Sequence, residues 1–333
     1  MNSLVLVHLG EGTPLYMNDC FHQLRLWNSP ETLTIFLILD SFHRGTPYPW
    51  SPLTSNYDIQ IIYTDELIAT DHHQSFCKGT HADLQFRDGY WKFVKERFFF
   101  VEELMLQRGL TNVIMMEYDI LIYTNLNNLI PALQAHTRGR LPMVMDNETR
   151  GHPGFLYFET IKPLHAFNMH LLYRLRSNKS DMELLCEFSQ QYPEDVCFLP
   201  VLTPSKNSSI VPRKTQMGQV VANPFFLSDG FDILQCLFDS AVVGQAIGGI
   251  DPRNTNGANT IGYENENALY SLKEMRMEWQ KNGSELWRPL LDGIPLVTIH
   301  MHSKALYPFL SDRSDMPKGD FNMGDLFQSL MHC

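Results

Sequence analysis

The chain has 333 residues, 44% hydrophobic and 19% charged, enough to bury a sizeable core in one large α/β domain or two closely joined ones. Lys and Arg number 26 against 37 Asp and Glu, and the net charge of −11 excludes general nucleic-acid or anionic-membrane binding, so any phosphate must be met by a local site. The cysteines (Cys20, Cys77, Cys186, Cys197, Cys236 and Cys333) are scattered without a C-x-x-C pair, which fits reduced thiols in a cytoplasmic protein better than a disulfide framework.

The N-terminus runs into a short apolar strand with no basic leader, and no later run approaches membrane-spanning length, so no stable membrane insertion is expected. The sequons at Asn147, Asn178, Asn207 and Asn282 then carry no glycan. Leu4 to Leu9 reads as a first strand, Pro14 to Trp27 as a helix stopped by Asn28-Ser29-Pro30, and Thr34 to Leu39 as a second buried strand ending at Asp40. This strand, helix, strand order opens a nucleotide-binding α/β sheet, with ligands beyond the carboxyl ends of the strands. Gly10-Glu11-Gly12 is not a dinucleotide fingerprint, because Leu15 stands where its third glycine belongs and Glu11 would repel a pyrophosphate.

Ser41 to Ser55 reads as a Pro-, Gly- and Ser-rich loop, Asp58 to Thr64 as a third strand, and His72, His73 and His81 as loop histidines with no acid at helical spacing. Trp91 to Arg108 has helical periodicity with Gly109 as its stop, and delivers the chain into Asn112 to Tyr123. That apolar run reads as a strand carrying two carboxylates, Glu117 and Asp119, on one face. Ionising both in a partly buried place is costly, and a divalent cation is the usual remedy.

Further on, Leu126 to His136 reads as a helix, Leu141 to Met145 as a strand, and His152 to Phe158 as a turn feeding a strand. Pro163 to Arg176, Ser180 to Gln191 and Phe238 to Ile247 read as helices, and Thr203 to Gln219 as a mobile loop. Gly248-Gly249 followed by Asp251-Pro252-Arg253-Asn254 demands an unusual backbone of the kind that binds something. Pro295 to Met301 is an apolar strand carrying His300 and His302, which share a face and are not separable by pattern, followed by Lys304.

The order of these features resembles a glycosyltransferase of the GT-A type, in particular its soluble bacterial and virus-encoded members. The resemblance rests on Glu117-Tyr118-Asp119 as an E-x-D variant of the D-x-D motif, with Gly154-Phe155-Leu156-Tyr157, Phe238-Asp239-Ser240-Ala241, Gly248 to Asn254, Asn265-Glu266 and His300 to Lys304. It implies a GT-A-like α/β fold, a Rossmann-like mixed central sheet flanked by helices. One catalytic domain of residues 1–333 is expected, with a nucleotide-binding half (1–125), an acceptor and metal-completing half (126–310) and a tail (311–333).

The activity implied is metal-dependent transfer of a sugar from a nucleotide-sugar donor, a UDP-sugar first, to a hydroxyl of a glycan or glycoconjugate, with no nucleic-acid partner. Mn²⁺ or Mg²⁺ would stabilise the leaving diphosphate. Asp119 is the expected direct ligand, Glu117 a ligand or ribose contact, and His302 the preferred histidine because it lies nearer Lys304, which would meet the phosphates. His8, Leu9, Gly10 and Asp40 would cradle the nucleotide, and Arg97 would lie near the donor sugar or pair with Glu102 or Glu103. Inversion is expected, with Asp239 or Asp251 as the general base and Glu266 behind them. The alternatives are a metal-dependent nucleotide-sugar hydrolase or phosphoesterase, and a non-catalytic sugar-binding module using Tyr48, Trp50, Trp91, Trp279 or Trp287.

Overall fold

The computed structural model describes residues 2–46, 50–80, 86–211, 224–255, 260–283, 285–313 and 321–329. The chain runs β1 (Asn2–His8), α1 (Met17–Trp27), β2 (Leu33–Leu39), α2 (Trp50–Tyr57), β3 (Ile59–Tyr63), α3 (Asp71–Gly79), α4 (Tyr90–Arg108), β4 (Val113–Met116), β5 (Ile120–Ile122) and α5 (Leu126–Thr137). It continues through β6 (Leu141–Asn147), β7 (Arg150–His152), β8 (Phe155–Phe158), α6 (Lys162–Tyr173), α7 (Asp181–Gln191), β9 (Val196–Phe198), α8 (Phe231–Leu234) and α9 (Val242–Gly248). The last elements are β10 (Arg276–Lys281), β11 (Trp287–Leu291), β12 (Ile294–Pro295), β13 (Thr298–His300), β14 (Phe321–Asn322) and α10 (Met323–Ser329).

The central sheet has the order β3-β2-β1-β4-β8, parallel except for β8, which runs antiparallel to β4. β4, β8 and the middles of β1 and β2 are apolar runs because helices cover both faces, while the edge strand β3 carries the exposed Gln60. Leu4, Leu6, Ile35 and Ile114 face a core shared with Phe21 and Leu24 of α1. Val5, Phe36, Ile38 and Met115 face the opposite core, shared with Phe98, Val101 and Leu104 of α4 and Phe167 of α6. Each of these side chains is worth about 1.5–3 kcal/mol on burial, so the alternation locks the register of the sheet. The remaining sheets are β12-β11-β10-β14, β7-β6-β9 and the pair β13-β5. This is the mixed α/β architecture that the strand and helix order implied.

Local departures from the sequence reading have physical reasons. The expected loop from Ser41 to Ser55 holds a 3₁₀ turn at Ser41–Gly45 and then α2. Pro52 is tolerated there because it lies in the first turn, where its missing N–H has no helical partner anyway. His72 and His73 are not loop residues but sit on α3, started by Thr70, whose hydroxyl accepts from the His73 N–H. His81 and Tyr48 lie outside the described residues. Of the expected mobile loop, Pro204–Ser209 forms a 3₁₀ turn, and residues 212–219 lie outside the described ones. The expected strand from Pro295 to Met301 is split, because β12 pairs with β11 and β13 crosses to β5. Among the described residues no helix is long and apolar enough to cross a membrane.

Candidate active site

The strand read from Asn112 to Tyr123 is broken at its centre. β4 ends at Met116, the Ile120 N–H donates to the Glu117 carbonyl at 3.3 Å, and β5 begins at Ile120. The two carboxylates are therefore brought together by a turn rather than by strand alternation. Pairing of β5 with β13 sets Ile120 opposite His300, and the Met301 N–H donates to the Asp119 carbonyl at 2.8 Å. His300 Nε2 then lies 3.3 Å from Asp119 Oδ2 and 3.8 Å from Glu117 Oε2, and one ligand atom from each of the three residues falls within 4.8 Å of the others. A Cβ on Gly154 would come within 3.5 Å of both Glu117 Oε2 and His300 Nδ1 and within 2.6 Å of Ile120 Cδ1, so glycine keeps this corner open.

The histidine brought to the carboxylates is His300, not the expected His302. Its neighbour's ring is engaged elsewhere, with His302 Nδ1 accepting from the Asp251 N–H at 2.9 Å. Burial, Lys304 and His300 push the His302 pKa down to about 4, so its ring is neutral.

The charges around this cluster are paired. Arg97 donates from one guanidinium nitrogen to Glu117 Oε1 at 2.6 Å and from the other to Asp181 Oδ2 at 2.7 Å, rather than to Glu102 or Glu103. Burial works against charge on Glu117, yet Arg97 holds its carboxyl below the usual range. Burial also opposes charge on Asp119, but Lys304, whose ammonium touches Oδ2, and His300 drive its carboxyl well below that range. Asp119 Oδ1, by contrast, is buried and has no hydrogen-bond partner among the described residues. Lys304 reaches its position through a left-handed backbone (φ 67°), a strained conformation of the sort found at binding sites. Two carboxylates, one with an orphaned buried oxygen, and an imidazole form a donor set that suits Mn²⁺ or Mg²⁺, and Mn²⁺ best, because it accepts imidazole.

Asp239 is not free to act as a base. Its Oδ1 accepts from the Val243 N–H, its Oδ2 from the N–H groups of Gly244 and His300, all at 2.9–3.0 Å, and it is buried. It ties the start of α9 to β13, which also explains why the helix expected from Phe238 begins only at Val242. A Cβ on Gly244 would fall 2.0 Å from the His300 carbonyl oxygen, so α9 and the histidine strand approach as closely as glycine permits. Asp251 is held by a two-nitrogen contact from Arg253, which lowers its carboxyl to about 2 against the effect of burial. Glu266 makes no described contact with the cluster.

At the end of β1, the Asp40 N–H donates to the His8 carbonyl at 3.0 Å, which sets the ends of β1 and β2 side by side. The His43 ring nitrogen lies 2.8 Å from the Gly10 carbonyl, and Asp40 accepts from the Phe42 N–H. What the sequence reading missed is the aromatic surround: His8 lies within 6.2 Å of the rings of His43, Trp50 and Tyr118, and Tyr118 stands 5.7 Å from Tyr16. Tyr118, the middle residue of Glu117-Tyr118-Asp119, joins this group to the carboxylates, which its place in the motif made discoverable. An open cleft of about 620 Å³, lined by Asn18, Asp19, His22, Tyr57 and Arg313 among others, shares no residue with either group.

The ring of His8 is satisfied when neutral, with Nε2–H donating to the Gly12 carbonyl and Nδ1 accepting from the Tyr118 hydroxyl at 3.1 Å. Burial accordingly lowers its pKa from 6.5 to about 4. The unfolded chain takes up a proton that the folded one refuses, so this residue makes stability fall as pH drops from about 6.5 towards about 4. The expected loss is about 1–2 kcal/mol between pH 7 and pH 5. Denaturant titrations at both values should show a smaller difference in His8→Gln; an unchanged difference would remove this residue from the account.

No known family model matches the sequence, and no curated protein does. Among solved structures, mouse xyloside xylosyltransferase 1 is 11% identical over 62% of this chain and 89% of its own, with a TM-score of 0.43. The galactosyltransferase LgtC, solved with donor and acceptor sugar analogues, is 11% identical over 68% of this chain and 82% of its own (TM-score 0.42). The PaToxG glycosyltransferase is 10% identical over 58% and 69% (TM-score 0.39). These three neighbours are glycosyltransferases, and their distance is too great to bring an activity to this chain.

Proposed function

We propose that the protein is a metal-dependent glycosyltransferase that takes its sugar from a nucleotide diphosphate donor, a UDP-sugar first. The observation that carries this reading is the convergence of Glu117, Asp119 and His300, with the buried Asp119 Oδ1 left unpartnered beside Lys304. Asp119 and His300 would hold a divalent cation, with Glu117 as the remaining ligand. When bound, that cation would act as a Lewis acid on the departing diphosphate.

The chain's own groups fill the other roles. Lys304, now paired with Asp119, would be the cation that meets the phosphate oxygens of a bound donor. Arg97 keeps Glu117 ionised and fixes its rotamer, so the ligand is prepared before the donor arrives. His8, Trp50 and Tyr118 supply faces for the base, and Gly10 and Asp40 polar groups for base or ribose. With Asp239 committed to backbone donors, Asp251 is the acid that would take the acceptor proton in an inverting reaction, after its pair with Arg253 opens.

The test is a thermal-shift panel of nucleotide sugars with and without Mn²⁺, since a ligand bound only by the native state raises the melting temperature. A manganese-dependent rise with one donor, lost in Asp119→Asn, supports the reading and names the donor. No rise with any donor contradicts it. Release of free sugar that no acceptor stimulates would turn the assignment to the hydrolase.

A further inference from the structure

A second group of metal-ligating side chains lies on the outer side of α4, away from Glu117, Asp119 and His300. His73 and Cys77 stand one helical turn apart on α3 and share a face, opposite Glu96 of α4. Glu96 Oε1 is their meeting point, 3.5 Å from His73 Nε2 and 3.0 Å from Cys77 Sγ, and the three ligand atoms lie within 4.8 Å of one another. His73 is buried, and beyond the approach to Glu96 its Nε2 has no hydrogen-bond partner among the described residues. Its other nitrogen, Nδ1, lies 2.7 Å from Glu103 Oε1, itself buried. A carboxylate that accepts from Nδ1–H fixes the ring's orientation and aims Nε2 at the group opposite, the outer arrangement found around zinc-bound histidines.

We propose that His73 Nε2, Cys77 Sγ and Glu96 Oε1 form a zinc site that fastens α3 to α4. Thiolate, imidazole and carboxylate are all zinc ligands, and Cys77 is exposed, which leaves an entry path and a fourth position for water. The charge closes: Zn²⁺ is balanced by the Glu96 carboxylate and the Cys77 thiolate, and the protons on Cys77 Sγ and on His73 Nε2, which faces Glu96, leave to solvent as the S–Zn and N–Zn bonds form. Lys92, 3.3 Å from Glu96 Oε1 and partly exposed, gives up that contact. The neighbouring group of His72, Glu102 and His165 is also open to solvent at His165 and differs in its carboxylate. Glu102 already accepts from His72 at 2.7 Å, from Asn168 at 2.6 Å and from His165 at 2.6 Å, so its oxygens are fully engaged. The proposal is independent of the proposed transferase reading.

The test is a Co²⁺ titration of chelator-stripped, reduced protein, read by thiolate-to-cobalt charge-transfer absorption, which a site of two carboxylates and an imidazole does not produce. The expected result is a saturable band in wild type and, at one equivalent, in Asp119→Asn, displaced by Zn²⁺ and absent in Cys77→Ser, whose exposed position leaves folding intact. His73→Gln should weaken cobalt binding at least about tenfold, as loss of a metal-site partner does. Absence of the band in the wild type, or its persistence in Cys77→Ser, overturns the proposal. Should His73→Gln fail to fold, X-ray absorption of the zinc-loaded Asp119→Asn protein decides instead: one sulfur among lighter ligands supports the site, and no sulfur or two overturns it.

Discussion

Asp119→Asn is expected to lower donor turnover at least about 1,000-fold while leaving the fold intact, the scale seen when a group that stabilises developing charge is removed. The substitution keeps size and shape but removes the charge that Lys304 and His300 now balance. The main-chain contact that closes the β5–β13 pair, Met301 N–H to the Asp119 carbonyl, does not involve the side chain and should survive. Turnover and manganese dependence should therefore vanish together, with a melting temperature close to wild type. A variant that still turns over with added Mn²⁺ would remove Asp119 from the metal site.

Arg97→Met is expected to cost about 3–5 kcal/mol of folding stability, the usual price of leaving buried charges unpaired. Arg97 is buried among Phe98, Val94 and the two acids it joins, Glu117 and Asp181, which lie 20 and 84 residues from it in sequence. Burial raises the Asp181 carboxyl despite Arg97, so without the guanidinium both acids would have to bind protons or stay charged and unpaired. Arg97→Lys should recover only part of the loss, because one ammonium cannot make both contacts of the planar fork. Urea denaturation measures both variants. A loss under about 1 kcal/mol for Arg97→Met would show that the triad contributes little to folding.

Elements with a strong internal period were legible in the sequence. The runs of β1 and β2, the long helix α4 with Gly109 in a left-handed stop (φ 61°), and α7 with its Ser180 and Glu183 capping box all lie close to where the pattern puts them. What failed were elements whose stability comes from contacts remote in sequence. Helix α3 carries His72, His73 and Gln74 in a polar run; its histidines have acid partners about 30 residues away on α4, which no helical spacing could reveal.

The site was legible in composition and not in assignment. Glu117, Asp119, Lys304 and the H-x-H pair were visible as residue types, but the choice between His300 and His302 depended on the register of β13 against β5. Asp239 is a candidate base in the sequence because an inverting reaction calls for an acid near the acceptor. Its backbone partners, Val243, Gly244 and His300, show it as a fastening point for α9 and β13. Asp181, which shares Arg97 with Glu117, carried no signal beyond its place after a helix cap.

The central claim is that Glu117, Asp119 and His300 hold one divalent cation. The most direct test is electron spin echo spectroscopy of Mn²⁺ bound to the wild-type protein, which detects a nitrogen ligand through its coupling to the metal. The account predicts a single imidazole nitrogen, lost in His300→Gln and kept in His302→Gln. A bound Mn²⁺ with no nitrogen coupling, or one whose coupling disappears in His302→Gln, would contradict it.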